Sequence, residues 1–342
     1  MRRVGVGLVG AGKHGQRYLG HLHADVPELV LAALCRRDAS RGRDDAARAG
    51  CRFHADWRAL VADPAVEAVI AVVPPVLHPA LVEAVAAAGK PLLIEKPLAT
   101  TGAAAVEIVR VLRAARIPCL MAQTLRWNAV VRAIRARLPE LGALRAVVLN
   151  QRFEPSPLGW LDDPAMSGGG ILLHTGVHSF DLVRLLTGCE VAEVFCHAAR
   201  VRTVRTEDNF AAVLRLSGSD TVVAVSGCRA TRGRSGLIDV AADEGQLVGD
   251  HQLGFAHLVR GLERTPLPLD EPVPTVREVL RAFARLVLDG EPPPTTPEDG
   301  ARAVLIAEAC HRSAESGAPV KVSRPALLRA SRPQTLASAE GR

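Results

Sequence analysis

At 342 residues with 48% hydrophobic content, the chain is too long for one ordinary domain and has the apolar residues to build two cores. Its net charge of +6 does not make it a nucleic-acid binder, because arginines are dispersed among acids and aromatics make up only 3%, leaving no stacking platform. The seven cysteines are scattered and never form a CxxC pair, which excludes a disulfide framework and a zinc knuckle and predicts a reducing, cytoplasmic setting.

In chain order, the opening Met1-Arg2-Arg3 and the apolar run after it read as a first β-strand, since glycines break the run and no cleavage-site pattern ends it. Short β-rich runs at 4–9, 29–34, 66–73, 92–94 and 119–122 then alternate with helical periodicity at 16–24, 39–49, 79–88 and 103–115. That alternation predicts βαβ units around a parallel sheet, an N-terminal Rossmann dinucleotide-binding domain over residues 1–122. From about residue 144 longer strands follow one another, at 144–153, 191–201, 210–216, 221–228 and 236–242, with helices at 177–186, 276–288 and 299–316. This predicts an α+β domain over 123–323 with a largely antiparallel, open-faced sheet and helices on one face. The segment 324–342 is rich in Ser, Arg, Pro and Ala and is expected to be disordered. No apolar run reaches the ~20 residues of a membrane span, so no membrane association is expected.

The first strand runs into Gly10-Ala-Gly12-Lys13-His14-Gly15, a GxGxxG loop with a helix starting at its last glycine. Gly10 permits a tight turn, Gly12 lets the backbone approach a pyrophosphate, and Gly15 allows close helix-to-strand packing. The helix N-terminus offers amides and a positive dipole end to the phosphates, and Lys13 and His14 lie within reach as further cofactor contacts. Where an NAD site places an acid after the second strand, this chain reads Cys35-Arg36-Arg37-Asp38. Two guanidinium forks suit a 2′-phosphate, so NADP is expected over NAD, with Asp38 the group that would serve NAD.

The fourth run leads into Glu95-Lys96-Pro97, charge at the carboxyl end of an apolar strand, where ligands bind in open α/β sheets. Lysine occurs only at Lys13, Lys90, Lys96 and Lys321, which makes Lys96 informative as a donor to a substrate hydroxyl. Ser167-Gly168-Gly169-Gly170 leads to His174, His178 and Asp181, whose spacings of four and three would share one helix face. Proton transfer by an imidazole is the reading taken, with His178 the acceptor and His174 a secondary contributor. No further ligand accompanies the two histidines, and no metal is expected.

The chain thus resembles the glucose-fructose oxidoreductase, inositol dehydrogenase and rhizopine-catabolism (Gfo/Idh/MocA) family over most of residues 1–322. The likeness rests on the glycine loop; on Val73-Pro74-Pro75-Val76-Leu77-His78, similar to the family's Thr-Pro-Asn-x-x-His; on Glu95-Lys96-Pro97; on the stretch from the glycine run to His178; and on the loop 290–300. It implies that Lys96 and His178 are the catalytic lysine and histidine, that Pro75, His78, Glu95 and Pro97 line the nicotinamide side, and that Arg126 and Asn128 belong to a segment lining the substrate cleft. It also implies a homo-oligomer built through the C-terminal sheet. His174 stands where many members have aspartate. The expected activity is oxidation of a secondary alcohol of a sugar, cyclitol or related polyol. Alternatives on the same fold are a glycosidase using a tightly held NAD and a non-catalytic, cofactor-binding sensor.

Overall fold

A computed structural model describes residues 2–328 and divides the chain into two compact units. The first comprises residues 1–99, 103–124 and 274–301. Its strands β1 (Val4–Val9), β2 (Leu29–Cys35), β3 (Arg52–His54), β4 (Ala68–Ala71), β5 (Leu92–Glu95) and β6 (Cys119–Ala122) form one sheet in the order β3-β2-β1-β4-β5-β6. Every pairing in it is parallel. The crossovers are α1 (Gly15–Ala24), α2 (Ala39–Ala49), α3 (Trp57–Ala62), α4 (His78–Ala87) and α5 (Gly102–Ala114). Because helices cover both faces, β4, β5 and β6 are buried at every residue, which is why they read as unbroken apolar runs. Gly5 and Gly7 make room for this packing: a Cβ would lie 2.3 Å from the Ala65 carbonyl oxygen at Gly5 and 2.4 Å from a Leu60 methyl at Gly7.

The second unit comprises residues 100–102, 125–273 and 302–342. It contains α6 (Ala129–Arg137), β7 (Leu144–Arg152), α7 (Pro164–Ser167), α8 (Val177–Thr187), β8 (Val191–Ala199), β9 (Asn209–Leu216), β10 (Val222–Cys228), β11 (Leu237–Ala242), β12 (Gly245–Asp250), β13 (Phe255–Arg260) and β14 (Glu263–Pro266). With a short β15 (Val320–Lys321) these strands form a nine-stranded sheet, β14-β13-β12-β11-β7-β10-β9-β8-β15, antiparallel except for β7 beside β10. Burial alternates strictly along β9, where Phe210, Ala212, Leu214 and Leu216 face the core and Ala211, Val213 and Arg215 face outward. α8 packs on the inner face through Phe180, whose ring lies 6.2 Å from that of Phe210. The outer face carries Phe195, Val213 and Val148 in register-linked rows, each more than a third exposed.

Two helices close the chain: α9 (Thr275–Asp289), and α10 (Pro297–Ser316), which passes from the first unit into the second. The sequence reading placed 276–288 in the C-terminal domain, whereas α9 belongs to the first unit. Its buried face of Val276, Val279, Leu280, Phe283 and Leu286 packs beside α1, β1 and β6. The segment expected to be disordered begins with ordered backbone. A 3-10 turn spans Ala326–Leu328, and Leu328 is buried with its carbonyl accepting from Arg302. The rest of that segment, 329–342, lies outside the described residues.

Candidate active site

The glycine loop follows β1 directly, with Gly10 N–H donating to the Cys35 carbonyl at the end of β2. Gly10 sits at φ +99°, and a Cβ there would lie 2.2 Å from the Val72 carbonyl oxygen. A Cβ on Gly15 would lie 1.9 Å from the Gly10 carbonyl oxygen, so α1 reaches the strand only without one. Gly12 differs. It is exposed, and no protein atom lies within 4 Å of where its Cβ would be. Protein packing does not demand glycine at Gly12, but a pyrophosphate drawn against the backbone at the start of α1 does. No acid occupies the first turn of α1 to repel it, and the loop fits the phosphates of a dinucleotide.

At the end of β2, Arg36 and Arg37 part company. Arg37 is exposed, whereas Arg36 Nη1 lies 2.6 Å from the Asp45 carboxylate, which also takes Arg48 Nη2 at 2.5 Å and Gln16 Nε2 at 2.8 Å. Asp38 caps α2, accepting from Arg41 N–H at 3.1 Å.

Glu95 ends β5 and is buried. His14 Nε2 lies 2.7 Å from its Oε1, Tyr18 Oη donates to the same oxygen at 2.6 Å, and the Lys96 backbone N–H donates to Oε2 at 3.0 Å. Burial pushes the carboxyl pKa up, but the charge and hydrogen bond of His14, the Lys96 charge and the Tyr18 hydroxyl outweigh it and bring it down to about 2. Glu95 is therefore an anion that fastens the glycine-loop helix to the strand end carrying Lys96. His14 and Glu95, both anticipated as cofactor contacts, meet each other. Lys13 is exposed in the loop, Lys96 is half-buried, and the Lys96–Pro97 peptide is cis with Pro97 buried. Pro75 is buried in the 3-10 turn leading to α4. His78 opens α4, is fully buried and donates from Nδ1 to the Leu98 carbonyl at 3.0 Å, tying α4 to the segment after Pro97. Burial lowers its pKa against the raising effect of nearby carbonyls, so this ring is neutral.

In the second unit, the glycine run leads into a π-helical turn, Leu172–Gly176, before α8. The extra residue in that turn breaks the single α-helical face expected for His174, His178 and Asp181. His174 is buried, donates from Nε2 to the Ser167 carbonyl at 3.2 Å and meets the Trp160 ring edge-on, with centroids 5.4 Å apart. His178 is half-buried. Asp181 is buried and bound by Arg126 through Nε at 2.8 Å and Nη2 at 2.5 Å. Arg126 was expected to reach substrate. It is 2% exposed and neutralises Asp181, because a carboxylate at that depth requires a cation. Asn128, also expected at the substrate, caps α6 by accepting from Val130 N–H at 3.0 Å and donates to the His251 carbonyl at 3.3 Å. Thr175, in the π-turn, accepts from Arg229 at 2.7 Å. Among the described residues no group of three or more His, Cys, Asp or Glu side chains is placed to hold a metal ion.

Tyr18, Asp45, Trp160 and Arg229 had no part in the sequence reading. The one available signal was that Tyr18 is the only tyrosine of the chain, one turn after the glycine loop.

Comparison with known proteins agrees with this geometry. The model of an oxidoreductase family with an NAD-binding Rossmann fold matches residues 4–122, and that of the GFO/IDH/MocA C-terminal domain matches residues 131–248. Inositol 2-dehydrogenase 1 of Saccharopolyspora erythraea is 30% identical, with 95% of this chain and 98% of that protein aligned. An oxidoreductase domain protein from Kribbella flavida superposes with a TM-score of 0.86 at 22% identity, over 95% of this chain and 100% of that one. A levoglucosan dehydrogenase solved with NADH and L-sorbose gives the same TM-score at 21% identity, again over 95% and 100%. Both units of the chain are thus accounted for by one lineage, and the protein belongs to the Gfo/Idh/MocA oxidoreductase family.

Proposed function

We propose that the protein is an NAD(P)-dependent dehydrogenase that reversibly oxidises a secondary alcohol of a sugar, cyclitol or related polyol. The observation that carries this reading is the buried Glu95 anion, which joins the phosphate-binding loop to the strand end that presents Lys96. A bound nicotinamide supplies the hydride acceptor. Lys96 donates a hydrogen bond to the reacting hydroxyl oxygen and stabilises the charge that develops on it. His178 takes the proton. His174 acts through its bond to Ser167, holding the glycine turn ahead of the π-turn. The 30% identity to an inositol dehydrogenase supports a cyclitol or sugar as substrate.

Two finer readings accompany it. NADP is preferred to NAD, with Arg36 as chief contact and Arg37 in support; the Asp45 anchor that holds Arg36 and the use of Asp38 as a helix cap support this. The protein forms a homo-oligomer in the cytoplasm through the outer face of its C-terminal sheet, a reading supported by exposed Phe195, Val213 and Val148 and by seven unpaired cysteines. A Val213→Arg variant that sediments like the parent removes the oligomer reading.

The test is a screen of cyclitols, sugars and other polyols with NADP and NAD, following accumulation of reduced cofactor. Net accumulation is expected with at least one polyol, and Lys96→Ala and His178→Ala are each expected to lose about 10²- to 10⁴-fold in turnover while still binding dinucleotide. Cofactor binding without net reduction by any polyol would overturn the proposal in favour of transient oxidation or sensing.

A further inference from the structure

The π-turn ahead of α8 is an uncommon backbone form, stable only where its surroundings hold it. The N–H groups at its start show what does so. Gly170 donates to both carboxylate oxygens of Glu207, at 3.0 and 3.1 Å, and Leu172 donates to Oε1 at 3.0 Å. Between them, Ile171 donates to the Glu207 backbone carbonyl at 2.8 Å. Three consecutive donors that a helix start leaves open thus all end on one residue, 37 positions beyond Gly170. From α10, His311 Nε2 reaches Glu207 Oε1 at 3.0 Å. The glycine run is shaped to this pair. A Cβ on Gly170 would lie 1.8 Å from the Glu207 carbonyl oxygen, and one on Gly169 would lie 2.7 Å from the His311 ring. These glycines are small because Glu207 and His311 occupy the space.

Both members of the pair are drawn toward their charged forms. Burial raises the Glu207 carboxyl, but the bond and charge of His311 and the backbone amides bring it below its usual range. Burial lowers His311, and the bond and charge of Glu207, with Glu315 and Glu308 nearby, reverse that.

We propose that Glu207, backed by His311, is a positioning residue for the dehydrogenase reaction: it holds the π-turn in its wide register and so sets the direction in which α8 presents His178. This rests on the reading of His178 as proton acceptor. Relaxation of the turn to α-helical register slips the backbone by one residue and rotates α8 by about 100°. A histidine displaced on that scale loses its alignment with the hydroxyl, although the dinucleotide loop in the other unit is untouched.

The experiment is a double-mutant cycle in the full-length protein, with Glu207→Gln and His311→Ala each made in the parent and in His178→Ala. In the parent, each is expected to lower kcat roughly tenfold to hundredfold, with dinucleotide Kd unchanged. In the His178→Ala background neither is expected to lower kcat further, because the group they position is gone. His311→Gln, which keeps a donor at the same place, is expected to restore most of the loss seen with alanine, and it carries the test if Glu207→Gln fails to fold. A kcat within twofold of the parent, or an equal loss in both backgrounds, overturns the proposal, the latter making the pair a structural clamp alone. Parent-like turnover by His178→Ala is a separate result that overturns the reading of His178 itself.

Discussion

The hydroxyl of Tyr18 donates a 2.6 Å hydrogen bond to the buried carboxylate of Glu95 across 77 residues of sequence. It joins the helix that follows the glycine loop to the strand that ends at Glu95, next to Lys96. Tyr18→Phe is expected to cost about 1.5–3 kcal/mol, the range for a hydrogen bond to a charged group, when unfolding is followed in urea. An unchanged midpoint would show that His14 and the Lys96 amide suffice for Glu95.

Acid should weaken the same junction. The Glu95 pKa falls from its ordinary 4.5 to about 2 on folding, so the stability it contributes is present above about pH 4.5 and is lost as pH falls toward 2. Below 4.5 the unfolded chain binds a proton that the native chain refuses. A depression of this size corresponds to about 3 kcal/mol in the fully ionised range. Glu95→Gln is therefore expected to be less stable near neutrality and to show a shallower decline in unfolding free energy between roughly pH 5 and pH 3. Parallel pH profiles for parent and variant would contradict the assignment.

Arg126 is held by Asp181 through two hydrogen bonds inside the second unit. Arg126→Ala strips buried Asp181 of its two short bonds and leaves it only the Arg184 guanidinium at 3.9 Å, which is expected to cost up to about 3–5 kcal/mol, whereas Arg126→Met with Asp181→Leu recovers most of it. Thermal melts of the three proteins check this. If Arg126→Ala melts like the parent but shows a raised polyol KM, the arginine contacts substrate after all.

The proposed preference for NADP is tested at Arg36. With its Nη1 held by Asp45, the remaining guanidinium donors are oriented at little entropic cost, and a charge-assisted bond to a 2′-phosphate is worth about 1.5–3 kcal/mol. Arg36→Ala should weaken NADP roughly tenfold to hundredfold and leave NAD nearly unchanged in paired titrations. Equal losses for both cofactors would make Arg36 part of the Asp45 cluster only.

Much of the first unit was legible from its sequence, because a parallel strand buried on both faces needs an unbroken apolar run and its crossover helix needs 3.6-residue periodicity. β1, β6 and α2 begin and end where those patterns do. β3 and α3 escaped notice, with three and six residues too short for a period to register. In the second unit β12 to β14 were missed, since Gln246, Asp250, His257 and Glu263 interrupt the alternation that marked β9. The glycine loop, Lys96 and His178 were legible because glycines at a strand-to-helix turn, a rare lysine after an apolar strand and a histidine after a glycine run are local features of the sequence. Their partners were not. Glu95 with His14, Arg126 with Asp181, and Glu207 with His311 lie 81, 55 and 104 residues apart. α9 displayed an apolar face without displaying what it would cover. Periodicity states which face of an element leaves water, but which buried charge meets which is decided only when elements distant in sequence pack together and each ion must find a counter-ion within reach.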